Sequence, residues 1–151
     1  MTGVSGAISG FVLSVVVNLG SIWYQNRKRK EREQVIKEKE WYRDLLRTSR
    51  NLEREAYLID PTSDVSVGRD GFQSDDPSIK QIDELLNELE GLVDKRPETV
   101  ESREASRRIS EIEAWHRRNQ DGDSISPIDI KERIIDDSRL IKNLSKNQIP
   151  D

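Results

Sequence analysis

The first 26 residues contain no charged side chain, and the remaining 125 carry all 25 Lys and Arg and all 29 Asp and Glu. This asymmetry constrains the fold more than any motif. The run Val4–Tyr24, VSGAISGFVLSVVVNLGSIWY, has 21 uncharged residues. At about 1.5 Å per residue, a helix of that length covers the ~30 Å hydrocarbon layer of a bilayer. Arg27-Lys28-Arg29-Lys30 follows directly, whereas MTG precedes it. A cleaved secretory signal would have the opposite arrangement, with basic residues first and a small-residue cleavage site after. The pattern predicts an uncleaved single-pass anchor over residues 1–26. Because Lys and Arg are retained on the cytoplasmic side, the N-terminus is expected outside and the rest of the chain in the cytoplasm at the cell membrane. Trp23 and Tyr24, with Arg27, Lys28, Arg29 and Lys30, are then the membrane-interface residues, and the lipid bilayer is the first partner.

At helical periodicity, Gly6, Gly10, Ser14 and Asn18 fall on one small, polar face of this segment, together with Gly3, Ala7 and Ser21. Ile8, Phe11, Val12, Val15, Leu19 and Ile22 fall on the other. Gly6 and Gly10 form a GxxxG that lets a second helix approach closely, and the amide of Asn18 has no partner in lipid. The face predicts packing against a second copy or against a partner membrane protein.

From Ser21 to Asp60 there is neither Gly nor Pro, so the anchor is expected to run on into a basic juxtamembrane and stalk helix over residues 27–59. Its three-four apolar spacing, Tyr42, Leu45, Leu52, Ala56 and Ile59, is interrupted at Ser49, and packing is expected to begin near Trp41. Pro61 ends the helix. Residues 60–77, rich in Asp, Gly and Pro, read as a loop, with Val65-Ser66-Val67 the only alternation in it. Residues 78–151 read as an acidic helical region packed on the stalk. Asp76 and Pro77 open a second helix whose stripe runs Ile79, Ile82, Leu85, Leu86, Leu89, Leu92 and Val93. A third, near Glu98 to Gln120, carries Val100, Ala105, Ile109, Ile112 and Trp115, with Glu104–Arg108 and Glu113–Arg117 pairs. Gly122 reads as its stop. A fourth starts at Ser126-Pro127, where Ser126 and Asp129 have capping-box spacing, and carries Ile130, Ile134, Ile141 and Leu144. The expected fold is all-α: a transmembrane helix continuing into a long helix, then a helical bundle or hairpin, about four helices in total. Apolar residues are sparse beyond position 26, so some stripes are expected to be completed by association.

Composition removes most chemistry. With no Cys there is no disulfide, thiolate zinc site, iron–sulfur cluster or thiol nucleophile, and one His excludes sites that need two. Glu113 and His116 form half of a di-iron carboxylate motif without the other half. Asp121, Asp123, Asp129 and Glu132 fall at calcium-loop positions, but Ile125 and Ser126 replace a ligand and the turn glycine. The distal residues 60–151 carry a net charge of −8 against +4 for residues 1–59, which repels nucleic acid. No catalytic residue, metal, cofactor or small-molecule substrate is assigned. The expected function is a membrane-anchored helical interaction or anchoring module with an acidic cytoplasmic surface. A tethered enzyme or metal-dependent sensor built around His116, Glu113 or the Asp-rich turn, and a small membrane-perturbing effector, are the alternatives.

Overall fold

The computed structural model describes the backbone of residues 3–118 and 124–149 and the side chains of residues 15–111 and 124–149. In chain order the elements are helix α1 (Gly3–Tyr57), strands β1 (Val65–Gly68) and β2 (Gly71–Ser74), and helices α2 (Pro77–Asp94), α3 (Val100–Arg118) and α4 (Pro127–Lys146). The chain is mostly helical, as its periodicity predicts. It divides into two units, residues 1–37 and residues 38–151.

The first unit consists of the N-terminal part of α1. Among the described residues, no helix is long and apolar enough to cross a membrane. Of the uncharged run, only Val15–Tyr24 has described side chains, so the run as a whole lies partly outside the described residues.

In the second unit, the packed face of α1 begins at Trp41 and continues through Tyr42, Leu45, Leu52 and Ala56, with Ile59 just past the helix. Ser49, which interrupts the apolar spacing, is itself buried, as is Thr48. The Ser49 hydroxyl donates to the Leu46 carbonyl at 2.9 Å, and that of Thr48 donates to Glu88 at 3.3 Å. A hydroxyl satisfied within its own helix packs as a small, nearly apolar group. The same device recurs in α4, where Ser138 donates to Ile134 O at 2.6 Å and Ser145 to Ile141 O at 2.9 Å. The buried face of α4 is thus Ile130, Ile134, Ser138, Ile141 and Ser145, and Leu144 is only half-buried.

Helix α2 presents the expected stripe: Ile79, Ile82, Leu85, Leu86 and Leu89 are buried, and Leu92 and Val93 pack partly against the core. Asp76 is its N-cap, accepting from Ser78 N at 2.8 Å, with Pro77 at the first turn. Helix α3 starts at Val100, two residues after the expected Glu98. Thr99 and Ser102 bond reciprocally, each backbone N–H donating to the other's hydroxyl oxygen at 3.2 Å, which sets the first turn at Val100. Ala105 and Ile109 are buried, whereas Val100 is 76% exposed and takes no part in the core. Ser126 occupies the N-cap position of α4, but its side chain makes no capping hydrogen bond.

The segment 60–77 is not a plain loop. It contains an antiparallel hairpin with Val65 opposite Ser74 and Val67 opposite Phe72. Val65, Val67 and Phe72 are buried, so the single alternation in this stretch is a strand that packs one face on the core. Arg69 and Asp70 turn without positive φ, and Gly71 takes up the reversal at φ 120°. The chain entering α4 returns to the free edge of β1: Ser124 bridges Ser66, and Ile125 N donates to Val65 O at 3.0 Å. This contact covers part of an edge that would otherwise be open to another chain.

Candidate functional site

In the first unit, the described apolar side chains face solvent. Val16, Val17, Leu19 and Trp23 are all at least 60% exposed, and Val15, Ile22 and Tyr24 are exposed too. In general, a large exposed apolar patch on a folded chain is where another protein or a membrane makes contact. The apolar segment ends in a collar of aromatic and basic side chains. The Arg27 guanidinium lies over the Trp23 ring at 5.5 Å and the Lys28 ammonium over the Tyr24 ring at 4.6 Å. Both pairs are four residues apart, so one helical turn sets each cation above the ring before it. At exposed sites such contacts contribute about 0.5–1 kcal/mol each. Arg27 also pairs with Glu31 at 3.3 Å and Arg29 with Glu33 at 2.9 Å. These exposed i,i+4 ion pairs are worth about 0.3–0.5 kcal/mol each, enough to favour helix here but not to organise a site.

Of the residues singled out in the sequence, Trp23 with Arg27 and Tyr24 with Lys28 are brought together, whereas Arg29 and Lys30 contact neither ring. Asn18 is exposed on α1. The helical backbone includes Gly6, Gly10 and Ser14, but their side chains lie outside the described residues, and so does the packing face they were expected to form. Glu113 and His116 lie on α3, but their side chains, and Asp121, Gly122 and Asp123 altogether, are also outside the described residues. Asp129 and Glu132 are exposed at the start of α4. Among the described residues, no cluster of three or more His, Cys, Asp or Glu could hold a metal ion.

The second unit has polar contacts that the sequence does not announce, because each joins positions far apart in the chain. Trp41 Nε1 donates to Leu92 O at 2.7 Å, and the Thr99 hydroxyl donates to Glu38 at 2.9 Å. Between them, these two bonds pin the start of the packed part of α1 to the end of α2 and the start of α3. Tyr42 stacks edge-on against Trp41, with ring centroids 4.9 Å apart. Its hydroxyl is buried without a hydrogen-bond partner among the described residues. Burial, reinforced by the charges of Glu38 and Glu101, pushes its pKa up to about 12.

On the surface of α3, Glu104 accepts from Arg107 at 3.0 Å and Arg108 at 3.2 Å. These bonds hold its carboxyl below the usual range and raise Arg107. Arg107, Arg108 and Glu111 line an open groove of about 550 Å³ with Arg133, Asp137 and Leu140 of α4. Three Arg and two carboxylates line it, so it presents no single charge to a ligand. On the α1–α4 side, Glu53 lies 3.7 Å from both Arg139 and Lys142, and Lys131 sits 5.6 Å over the Tyr57 ring. These are packing contacts between helices; none combines a nucleophile with a base or an open pocket with convergent donors. The surface with the most directed chemistry is therefore the exposed apolar segment and its aromatic–basic collar. No protein-family model, curated protein or solved structure matches this chain.

Proposed function

We propose that this protein is a single-pass, membrane-anchored helical module that works by interaction or anchoring, with no catalytic site. The carrying observation is the exposed apolar surface of Val15–Tyr24, ending in the Trp23–Arg27 and Tyr24–Lys28 pairs. Aromatic rings suit the interface between hydrocarbon and water, and basic side chains just beyond suit the cytoplasmic headgroups. On this reading the segment 1–26 lies in the bilayer, and the helices and hairpin of the second unit face the cytoplasm, where they offer a binding surface.

The topology is directly testable because the chain has no Cys. A single cysteine at Thr2 is expected to react with a membrane-impermeant thiol reagent in intact cells, and one at Ser63 only after lysis. Labelling of the Ser63 site alone in intact cells reverses the orientation. Recovery of the whole chain in the soluble fraction removes the anchor.

Association through the membrane segment is part of the same proposal, on the small face Gly6, Gly10, Ser14 and Asn18. Gly10→Ile blocks close approach, and Asn18→Leu removes an interhelical hydrogen bond worth about 0.6–2 kcal/mol. Both are expected to lower the signal of a membrane dimerisation reporter. Equal signals from wild type and the two variants would reduce the face to composition.

A further inference from the structure

The cations beyond the aromatic collar fall into two classes. Arg27 and Arg29 are committed to Glu31 and Glu33. Lys28, Lys30 and Arg32 have no carboxylate within salt-bridge distance among the described residues, and all three are exposed. The ammonium of Lys28 lies over the face of Tyr24.

Their placement says what they face. Along the helix, Lys28 and Arg32 lie about 6 and 12 Å beyond Tyr24 at 1.5 Å rise per residue. That is the depth of the headgroup layer and the first Debye length outside it. Around the axis, steps of two residues turn about 200°, so Lys30 lies nearly opposite Lys28, and Arg32 returns to the side of Lys28. A docked protein helix or an acidic groove would be met from one side. Cations spread around the circumference match a surrounding sheet of negative charge.

We propose that Lys28, Lys30 and Arg32 recognise anionic phospholipid headgroups, so that the protein gathers phosphatidylserine-like or phosphatidylglycerol-like lipid around its anchor. The inference rests on the membrane-anchored reading and adds the lipid class and the three residues that select it. Arg27 and Arg29 add less to this selection because Glu31 and Glu33, four residues on, offset their charge.

The test uses the full chain reconstituted in phosphatidylcholine bilayers, with trace spin-labelled phosphatidylserine or phosphatidylcholine, read by electron paramagnetic resonance. The motionally restricted fraction reports lipid held at the protein surface, and the ratio of the two labels reports selectivity. Wild type is expected to prefer the phosphatidylserine label by roughly twofold or more at low salt, falling towards parity as salt is raised. The triple variant Lys28→Gln, Lys30→Gln, Arg32→Gln is expected to bring the ratio near one. The quadruple variant Arg27→Gln, Arg29→Gln, Glu31→Gln, Glu33→Gln, which leaves net charge unchanged, is expected to keep it. A restricted fraction without selectivity in wild type, selectivity that survives in the triple variant, or its loss in the quadruple variant overturns the assignment. No restricted fraction with either label overturns the anchor itself, so the two failures are distinguishable.

Discussion

Asp76 ties the end of one helix to the start of the next through Asp60. One oxygen of its carboxylate accepts from the backbone N–H of Asp60 at 2.9 Å, and the other accepts from Ser78 N at 2.8 Å. Asp60 in turn receives the backbone N–H and hydroxyl of Thr62 at 2.8 and 2.7 Å, which holds its carboxyl below the usual range. The chain leaving α1 is thus turned, and its exit is fastened to the N-cap of α2.

Replacing Asp76 therefore removes two bonds rather than one. Loss of an N-cap costs about 0.5–2 kcal/mol, and Asp76→Ala is expected at or above the upper end because the Asp60 amide is released as well. Asp76→Asn, whose carbonyl oxygen can still accept one of these bonds while its NH2 end can accept neither, is expected to fall between. Denaturant unfolding gives the totals, and hydrogen exchange at the Asp60 and Ser78 amides shows whether both are released together.

Gly71 is required twice over. Its φ of 120° is a conformation that L side chains rarely adopt, and a Cβ built there would meet the Asp83 carboxylate. The same carboxylate accepts from Phe72 N at 3.2 Å, so it cannot swing away without cost. Gly71→Ala is expected to destabilise by more than about 1 kcal/mol. In an Asp83→Ala background the steric part of that cost disappears and only the backbone strain persists. A double-mutant cycle should show this non-additivity; strictly additive effects would mean that the contact does not govern the site.

Tyr42 makes stability fall at high pH. Below pH 10 the phenol is neutral in both the folded and the unfolded chain and contributes no pH dependence. From the ordinary phenol value of 10.0 up to about 12, the unfolded chain loses the proton while the folded chain keeps it, so stability drops through that window and then levels. Tyr42→Phe is expected to flatten this part of the profile. At neutral pH it should leave stability unchanged or raise it by up to about 1 kcal/mol, since a buried hydroxyl without a hydrogen-bond partner is removed. The phenolate absorbance that the variant lacks should be the part that appears near pH 12; its appearance near 10 would contradict the burial.

The core centres on α2. Leu86 and Leu89 are buried, and truncation of such a side chain costs about 2–5 kcal/mol. Leu86→Ala is expected to lower stability and the thermal midpoint sharply, and Val100→Ala, at a position 76% exposed, to leave stability within about 0.5 kcal/mol of wild type. Ser138→Leu tests the buried position that its small side chain fills, with an expected cost of about 1–3 kcal/mol from overpacking. Similar midpoints for all three variants would place the core elsewhere.

Local signals in the sequence determined the helices and their faces: the stripe of α2, the cap at Asp76 followed by Pro77, the onset of packing at Trp41, and the charge-free run with its basic flank. Each is a periodicity or a short-range hydrogen bond and needs no distant residue to be read. Tertiary structure alone decided the hairpin, because four-residue strands are too short to stand alone and Val65, Val67 and Phe72 form strands only where a core covers them. It also decided which hydroxyls count as core. Ser49, Ser138 and Ser145 interrupt apolar stripes on paper, yet they are buried, with their hydroxyls turned back to carbonyls of their own helices. Of the candidate site, the aromatic and basic residues were legible from their order alone. Which cations pair with Glu31 and Glu33 among the described residues depended on rotamers and distances, which composition does not carry.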